Sequence, residues 1–391
     1  MALLVVGCGD DSDPATADAG IDGSNGPSPT LALSTVIPGT PRTGSLLFVD
    51  SFGAGTEVDQ SMGLEIPGGG IAVAGPTPGT FFTTNGQAPV ITRWRFAEDG
   101  TVMQDGELSF AGFSVDASRA GAGNFVFTSP TRGYILDTLS LEMVLWNPEA
   151  MVIDGSQSLD ALGISGWFGL ANRGVLRGTD YVVPVAYAQF TGSINELSRL
   201  LVLDINSETI SRTVDIDCEG VTYVRVLEDG TLYAASDTAS VTNRLAGLSD
   251  GEECYVRMGP GSYDIAERVL FSSRTGGTDA AGMFGGEGTE VFIRVLDSSL
   301  VPTQPSSVGQ LNSTRMWRWA RLDLAGTEDA IGFPDLEPFS TSQVTFTIDD
   351  TIWVVAPGAD FSGGRLFDVS GERPVGGIAA SGLIVNGFRP R

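Results

Sequence analysis

Histidine and lysine are both absent from this chain of 391 residues, so its 22 basic residues are all arginine. Without histidine the chain has no Ser-His-Asp or Cys-His catalytic arrangement and no histidine-ligated zinc, iron or copper. Without lysine it has no Schiff-base chemistry and no phosphate-loop lysine. We therefore expect a protein that is not an enzyme and that uses no cofactor and no metal.

Long apolar runs are missing as well. No stretch approaches the roughly 18–20 apolar residues of a membrane-spanning helix. Apolar residues still make up 42% of the chain, which permits a substantial buried core, and the 52 glycines suit many tight turns. Helical periodicity is not sustained anywhere for three turns, and this indicates an all-β protein.

Positive charge is scarce. The 22 arginines are outnumbered by 48 acidic residues, which gives the chain a net charge of −26. Such a surface repels phosphate backbones and anionic membranes. The composition therefore predicts a protein with no nucleic-acid partner, and we also expect a monomer.

Cysteine is limited to Cys8, Cys218 and Cys254. Cys218 and Cys254 follow or begin predicted strands, and in an exported protein we expect a disulfide between them. The alternative is two separate buried thiols. Two thiolates without histidine would make a poor zinc site.

The N-terminus reads MALLVVGCG, and residues 4–8 (Leu-Val-Val-Gly-Cys) resemble the lipobox of bacterial lipoproteins. That resemblance implies cleavage before Cys8 and its lipidation. The apolar stretch Ala2–Val6 is shorter than the roughly 7–15 residues of a secretory signal and lacks a basic start. We therefore interpret residues 1–8 as a truncated signal, either trimmed or preceded by further residues. A chance match in a cytosolic protein is the alternative.

Residues 9–43 are rich in Asp, Ala, Gly, Ser and Pro and contain no aromatic side chain. Such a segment cannot bury enough apolar surface to offset its ordering entropy, so we expect a disordered acidic tether.

A β pattern runs over residues 44–391, and it is clearest in Arg199–Ser236. Two hairpins lie there back to back, the second turning at Asp229-Gly230. We interpret this stretch as one blade of a β-propeller. Related strand–turn–strand units have their turns near residues 50, 99, 137, 204, 260, 323 and 368. Their mean spacing of about 53 residues suits four-stranded blades. The sequence predicts seven blades of four antiparallel strands, with tandem β-sandwiches as the alternative.

Two strands interleave arginine with aromatic residues. The first strand contains Arg93, Trp94 and Arg95. The second contains Trp317, Arg318, Trp319 and Arg321. In a strand this pattern puts arginines on one face and rings on the other, as in a pocket for an anionic or aromatic ligand. The alternative is a half-buried strand whose arginines pair with the abundant carboxylates.

Other motifs are weaker evidence for a binding site. Residues 215–220 match the start of an EF-hand loop, but Val226 stands where the bidentate Glu is required, so a polar turn is favoured over a calcium site. The glycine-rich stretches at 68–70, 276–277 and 285–286 lack a following helix, so we interpret them as turns.

The layout of lipobox, acidic tether and short strands is similar to β-propeller surface lipoproteins of bacteria, including the MxcI-like siderophore-associated group. The resemblance implies a lipid-anchored protein of the bacterial cell envelope, at the outer membrane or cell surface. We expect the protein to bind a small ligand or an envelope protein without catalysis, in ferric-siderophore handling, and to contact a membrane only through the lipid anchor. The alternatives are a carboxylate-based hydrolase or lyase acting on carbohydrate, and a structural scaffold for protein interaction.

Overall fold

The computed structural model describes residues 31–37, 42–53, 57–97, 100–114, 125–303, 305, 307–333, 337–340, 344–348, 351–357, 363–371 and 375–390. No helix among these residues is long and apolar enough to cross a membrane. The predicted signal at residues 1–8, with the lipidation site Cys8, lies outside the described ranges.

The described residues contain thirty strands, numbered β1 to β30 in chain order, which form seven sheets arranged as the blades of a propeller. The predicted architecture of seven blades of four antiparallel strands is confirmed. We number the blades along the chain and call the four strand positions first to fourth, from the ring centre outward.

The first three blades have these strands. Blade 1 contains, in spatial order, β30 (Leu383–Phe388), β1 (Leu31–Ile37), β2 (Thr43–Val49) and β4 (Leu64–Ile66). Blade 2 contains β5 (Ala72–Ala74), β6 (Thr80–Thr84), β7 (Val90–Phe96) and β8 (Val102–Ser109). Blade 3 contains β9 (Phe125–Ser129), β10 (Arg132–Asp137), β11 (Glu142–Asn147) and β12 (Val152–Ser158).

The remaining blades are built in the same way. Blade 4 contains β13 (Phe168–Ala171) and β14 (Val175–Arg177), which both pair with β15 (Asp180–Ala188), then β16 (Leu197–Asp204) and β17 (Thr209–Asp217). Blade 5 contains β18 (Val221–Val226), β19 (Leu232–Ser236), β20 (Cys254–Met258) and β21 (Ile265–Leu270). Blade 6 contains β22 (Ala280–Phe284), β23 (Glu290–Leu296), β24 (Trp317–Asp323) and β25 (Ile331–Gly332). Blade 7 contains β26 (Thr345–Ile348), β27 (Thr351–Pro357), β28 (Gly363–Asp368) and β29 (Val375–Ser381), with β3 (Glu57–Val58) at its outer edge.

Two pairings close the ring. The C-terminal strand β30 is the first strand of blade 1 and pairs antiparallel with β1, so both ends of the described chain share one sheet. In addition, β3 leaves blade 1 and pairs parallel with β29 of blade 7. These non-local pairings hold the first and last blades together.

The core is divided into seven apolar clusters, one between each pair of neighbouring blades. Leu200 of β16 packs in the cluster toward blade 5, while Leu201 packs in the cluster toward blade 3. Because successive side chains of a strand point to opposite faces, a strand buried on both faces needs a continuous apolar run.

The structure corrects two boundaries. Leu31–Ile37 belongs to the tether predicted over residues 9–43, but it forms β1 and is mostly buried between β2 and β30. Arg199–Ser236 was expected to be one blade, but β16 and β17 close blade 4 while β18 and β19 open blade 5. Local alternation predicted all four strands correctly, but the strand that each one pairs with is a non-local property.

Three hairpin turns share one mechanism. Asp137, Asn147 and Asp204 each start a turn, and their side-chain oxygens accept hydrogen bonds from two backbone N–H groups of that turn. The last turn residue then adopts a left-handed conformation, with φ of 55°, 55° and 57° at Leu141, Met151 and Glu208. The turn acceptor thus supports a conformation for which glycine is usual.

One face of the ring carries the connections between second and third strands and the connections between blades. Because strand direction alternates, these segments all leave the sheets at the same end. They include α1 (Thr238–Leu245) in blade 5 and α2 (Val308–Ser313) in blade 6, which contact each other. We call this the helical face.

Candidate functional site

The predicted ligand-binding strand Arg93–Arg95 is the third strand of blade 2. The guanidinium of Arg93 lies 3.0 Å from the carboxylate of Asp105. It also donates, at 2.8 Å, to the carbonyl of Pro148 in blade 3. Trp94 donates to Thr83 Oγ1 at 2.9 Å. The side chain of Arg95 is 53% exposed and lies 3.7 Å from Asp105. Arg93 therefore joins blade 2 to blade 3, whereas Trp94 packs against the cluster between blades 1 and 2 and Arg95 pairs within blade 2.

The second predicted strand, Trp317–Arg321, is the third strand of blade 6. Trp317 and Trp319 are buried in the cluster between blades 6 and 7. Arg321 lies 3.3 Å from Glu290 and donates to a turn carbonyl of blade 7. Blades 3, 4 and 5 separate this strand from Arg93–Arg95 on one side of the ring, and blades 7 and 1 on the other. The structure therefore does not bring the two predicted strands into one pocket.

Arg318 and Trp319 do line a cavity of about 420 Å³. We call it the blade-6 cleft, and it is formed by Thr275, Val295, Arg318, Trp319, Ala320, Ala330, Gly332 and Phe333. Its volume lies within the range of roughly 300–1,000 Å³ that small-molecule sites occupy.

The cleft follows from an irregular fourth strand. β25 pairs only with Ala320 and Arg321 of β24. Beyond it the Phe333 N–H donates to the carbonyl of Trp319, and the chain pairs with β24 again at Phe339, opposite Trp317. Arg318, Trp319 and Ala320 of β24 line the cleft together with Ala330 and Phe333, which lie on either side of β25 in the sequence.

The cleft combines an apolar wall with positive charge. Among the described residues that line it, Arg318 carries the charge, and its side chain is 39% exposed. Arg318 donates to Asp297 at 2.7 Å. Hydrogen bonds from Ser299 and then from Arg318 hold the pKa of Asp297 below its ordinary value.

A second guanidinium lies behind the wall. Arg294 of β23 is 3% exposed, and its Cζ lies 4.4 Å from the ring centroid of Phe284 and 5.5 Å from that of Trp319. Trp319 in turn stacks on Phe339 with centroids 5.1 Å apart. Sequence reasoning missed Arg294, although a single arginine within the apolar strand VFIRVL was a usable signal.

At the junction of blades 4 and 5, the predicted disulfide is present and joins Cys218 to Cys254. Glu219 and Glu253 adjoin the two cysteines in sequence and are both buried. Glu219 accepts from Asn243 and Ser249, so it holds α1 and the loop after it. Burial is the main reason why the pKa of Glu219 is raised.

Glu253 lies in an ionic cluster. Arg244 at the end of α1 lies 3.0 Å from Glu253 and 2.8 Å from Asp279 in the connection to blade 6. Burial raises the pKa of Glu253 to about 7 in spite of this pairing. The cluster attaches α1 to the segment that leads into β22, and Thr275 of the cleft belongs to that segment.

The described residues contain no group of three or more His, Cys, Asp or Glu side chains arranged to hold a metal ion. In the segment that resembles an EF-hand start, Asp215 pairs with Arg199 at 2.6 Å. The glycine-rich stretches within the described ranges form turns or connections between blades.

The amino-acid sequence matches no known protein family, and no curated protein is a detectable relative. The fold resembles Kuenenia stuttgartiensis hydrazine synthase at 13% identity and a TM-score of 0.47, covering 76% of this chain and 75% of that chain. It resembles apo AztD from Citrobacter koseri at 14% identity and a TM-score of 0.45, covering 92% and 97%. It also resembles the WD40 domain of Toxoplasma gondii coronin at 10% identity and a TM-score of 0.42, covering 93% and 77%. These likenesses concern the β-propeller fold and nothing further.

Proposed function

We propose that this chain is an extracytoplasmic binding protein that captures a small ligand in the blade-6 cleft without catalysis. The ligand would combine an apolar or aromatic body with an anionic group. The observation that carries the proposal is the position of Arg318 on the wall of a 420 Å³ cleft whose other walls are mainly apolar.

The charges support an anionic ligand. Arg318 is already paired with Asp297, so a ligand carboxylate or phenolate would share or replace that partner. Arg294 lies among the rings of the cluster behind the cleft and adds positive potential in a region of low dielectric. In a chain of net charge −26, such a local positive region gives the cleft selectivity over the rest of the surface.

The disulfide supports export. Structural disulfides persist in oxidising compartments and are rare in the cytosol. Together with the lipobox-like residues 4–8, it favours a protein held at the cell envelope through a lipid on Cys8. Mass spectrometry of the mature N-terminus tests this part, and an unmodified Cys8 in the mature protein would refute the anchor.

Non-catalytic binding fits the chemistry of the site. The two buried carboxyls with raised pKa, Glu219 and Glu253, contact α1 and the blade connections rather than the cleft. Ferric siderophores with aromatic chelating groups are one ligand class of the proposed kind, since they join aromatic rings to negative charge.

The test is calorimetry with ferric siderophores and with simple aromatic carboxylates. We expect Arg318→Gln to weaken binding about tenfold or more, because it removes the charge-assisted hydrogen bond. Arg257→Gln is the matched control, since Arg257 pairs with Glu267 at 3.1 Å on the outer strands of blade 5. Equal binding by wild type and Arg318→Gln, or no binding by any of these ligands, would refute the proposed site.

A further inference from the structure

A second cleft lies on the helical face between blades 3 and 4. Its volume is about 230 Å³, and its apolar lining includes Leu139, Leu141, Ile164, Trp167 and Phe168. Leu139 and Leu141 belong to the turn between β10 and β11, while the others lie in the segment that leads into blade 4. We call it the blade 3–4 cleft.

The rim of this cleft exposes large apolar side chains. Phe190, in the connection between β15 and β16, is 75% exposed, and its ring lies 4.8 Å from that of Phe168. Leu139 on the opposite wall is 36% exposed. Phe190, Phe168 and Leu139 therefore extend the apolar surface of the cleft outward to solvent. Contiguous exposed apolar surface of this kind marks interaction sites on soluble proteins.

Two polar side chains of the wall already have partners. The Tyr187 hydroxyl donates to the carbonyl of Leu162 at 2.7 Å. The Thr138 hydroxyl donates to the carbonyl of Gly169 at 2.8 Å and accepts from the N–H of Ala171. A sugar or another ligand with many hydroxyls would find few groups here to satisfy them, so the cleft suits an apolar side chain.

The surroundings of the cleft are acidic. Asp160 is exposed and its carbonyl accepts from the N–H of the lining residue Gly163. The carboxylate of Asp137 accepts from the N–H of Leu139 at 2.9 Å. The nearby cation Arg199 pairs with Asp215 at 2.6 Å and lies over the ring of Tyr187. An occupant with positive charge is therefore favoured, and an anionic lipid surface is repelled.

We propose that the blade 3–4 cleft binds an apolar side chain from a basic, amphipathic segment of a partner protein. Phe190 and Leu139 would contact that side chain, and Asp160 and Asp137 would attract the lysine and arginine residues beside it. This surface is separate from the blade-6 cleft and does not depend on the ligand proposed there.

The probe is a helical peptide of leucine and lysine of about 18 residues, long enough for five turns, compared with a leucine–glutamate peptide of equal length. We expect the lysine peptide to bind the full chain and Phe190→Ser to weaken it about tenfold or more. Binding should also weaken as salt rises toward about 1 M, where the Debye length is only about 3 Å. The glutamate peptide should not bind.

Val375→Ser is the matched control, because Val375 is 60% exposed on an outer strand of blade 7. It should leave peptide binding unchanged, and thermal unfolding should show that both variants remain folded. The proposal is overturned if wild type does not bind the lysine peptide, if Phe190→Ser binds as wild type, or if both peptides bind equally. Binding to phosphatidylglycerol vesicles that Phe190→Ser abolishes would assign the surface to lipid and also overturn it.

Discussion

Cys218 and Cys254 are joined across the boundary between two blades, with their Cα atoms 5.8 Å apart. Cys218 lies in the connection that leaves blade 4, and Cys254 begins the third strand of blade 5. The bond thereby encloses β18, β19 and α1 in one covalent loop. It fixes the base of the segment that carries α1 and its ionic cluster.

Removing this disulfide should destabilise the protein. Its partners are 36 residues apart, so loop-closure entropy in the unfolded chain predicts a loss of about 3–4 kcal/mol for Cys218→Ala combined with Cys254→Ala. Denaturant unfolding measures the loss. The wild type in reductant should approach the double variant, and an unchanged unfolding midpoint in both would contradict the prediction.

Arg177 should be more important for stability than its single charge indicates. It is 9% exposed and donates to the carbonyls of Gly230, Gly259 and Ser262 in blade 5. An ammonium group cannot reproduce this planar fork, so we expect Arg177→Lys to cost about 2–4 kcal/mol.

The control for Arg177→Lys is Arg257→Lys, at an exposed ion pair with Glu267. Exposed pairs contribute roughly 0–1 kcal/mol, so this variant should unfold at nearly the wild-type midpoint. Equal losses of stability in both variants would show that the hydrogen bonds to the three carbonyls do not explain the effect of Arg177→Lys.

Glu253 should make stability fall as pH rises. Burial raises its pKa to about 7 in the folded protein, from an ordinary value of 4.5. The folded state therefore binds more protons than the unfolded chain between these values, and the stability present below pH 4.5 is lost as pH rises toward 7. The loss is at most about 3 kcal/mol.

Glu253→Gln lacks this titration. As pH rises from 5 to 7, the free energy of unfolding of the variant should therefore increase relative to that of the wild type. Denaturant unfolding at several pH values measures the difference. Glu267→Gln, which removes an exposed carboxylate paired with Arg257, is the control for the loss of a carboxyl group elsewhere in blade 5. A relative loss for Glu253→Gln over the same interval would mean that Arg244 keeps Glu253 ionised in the folded state.

The turn that Asp204 begins should depend on a side-chain acceptor rather than on charge. Its Oδ1 accepts from Asn206 and Ser207, and Asn147 performs the same role in another turn. We expect Asp204→Ala to cost about 1–2 kcal/mol and Asp204→Asn less than about 0.5 kcal/mol in thermal unfolding. Similar losses in the two variants would exclude this mechanism.

The sequence predicted one strand of the candidate site. Alternating Arg and Trp indicated a strand at residues 317–321 that could line a pocket, and Arg318 and Trp319 do line one. Thr275 and Phe333 come from a blade connection and from the irregular fourth strand. Their approach to β24 depends on how separate segments pair, which local patterns do not encode.

The sequence by itself determined many of the strands and their turns, though not β1, and the number of blades, because alternation of period two and Asx or glycine turns are local properties. It also indicated the disulfide through its cysteine content. Only the tertiary structure decided where one blade ends and the next begins, which turn carbonyls the arginines bind, and where the sheet edge opens into a cleft. The blade boundaries, the arginine contacts and the cleft all depend on contacts between residues far apart in the chain. Packing at the seven interfaces between blades determines those contacts.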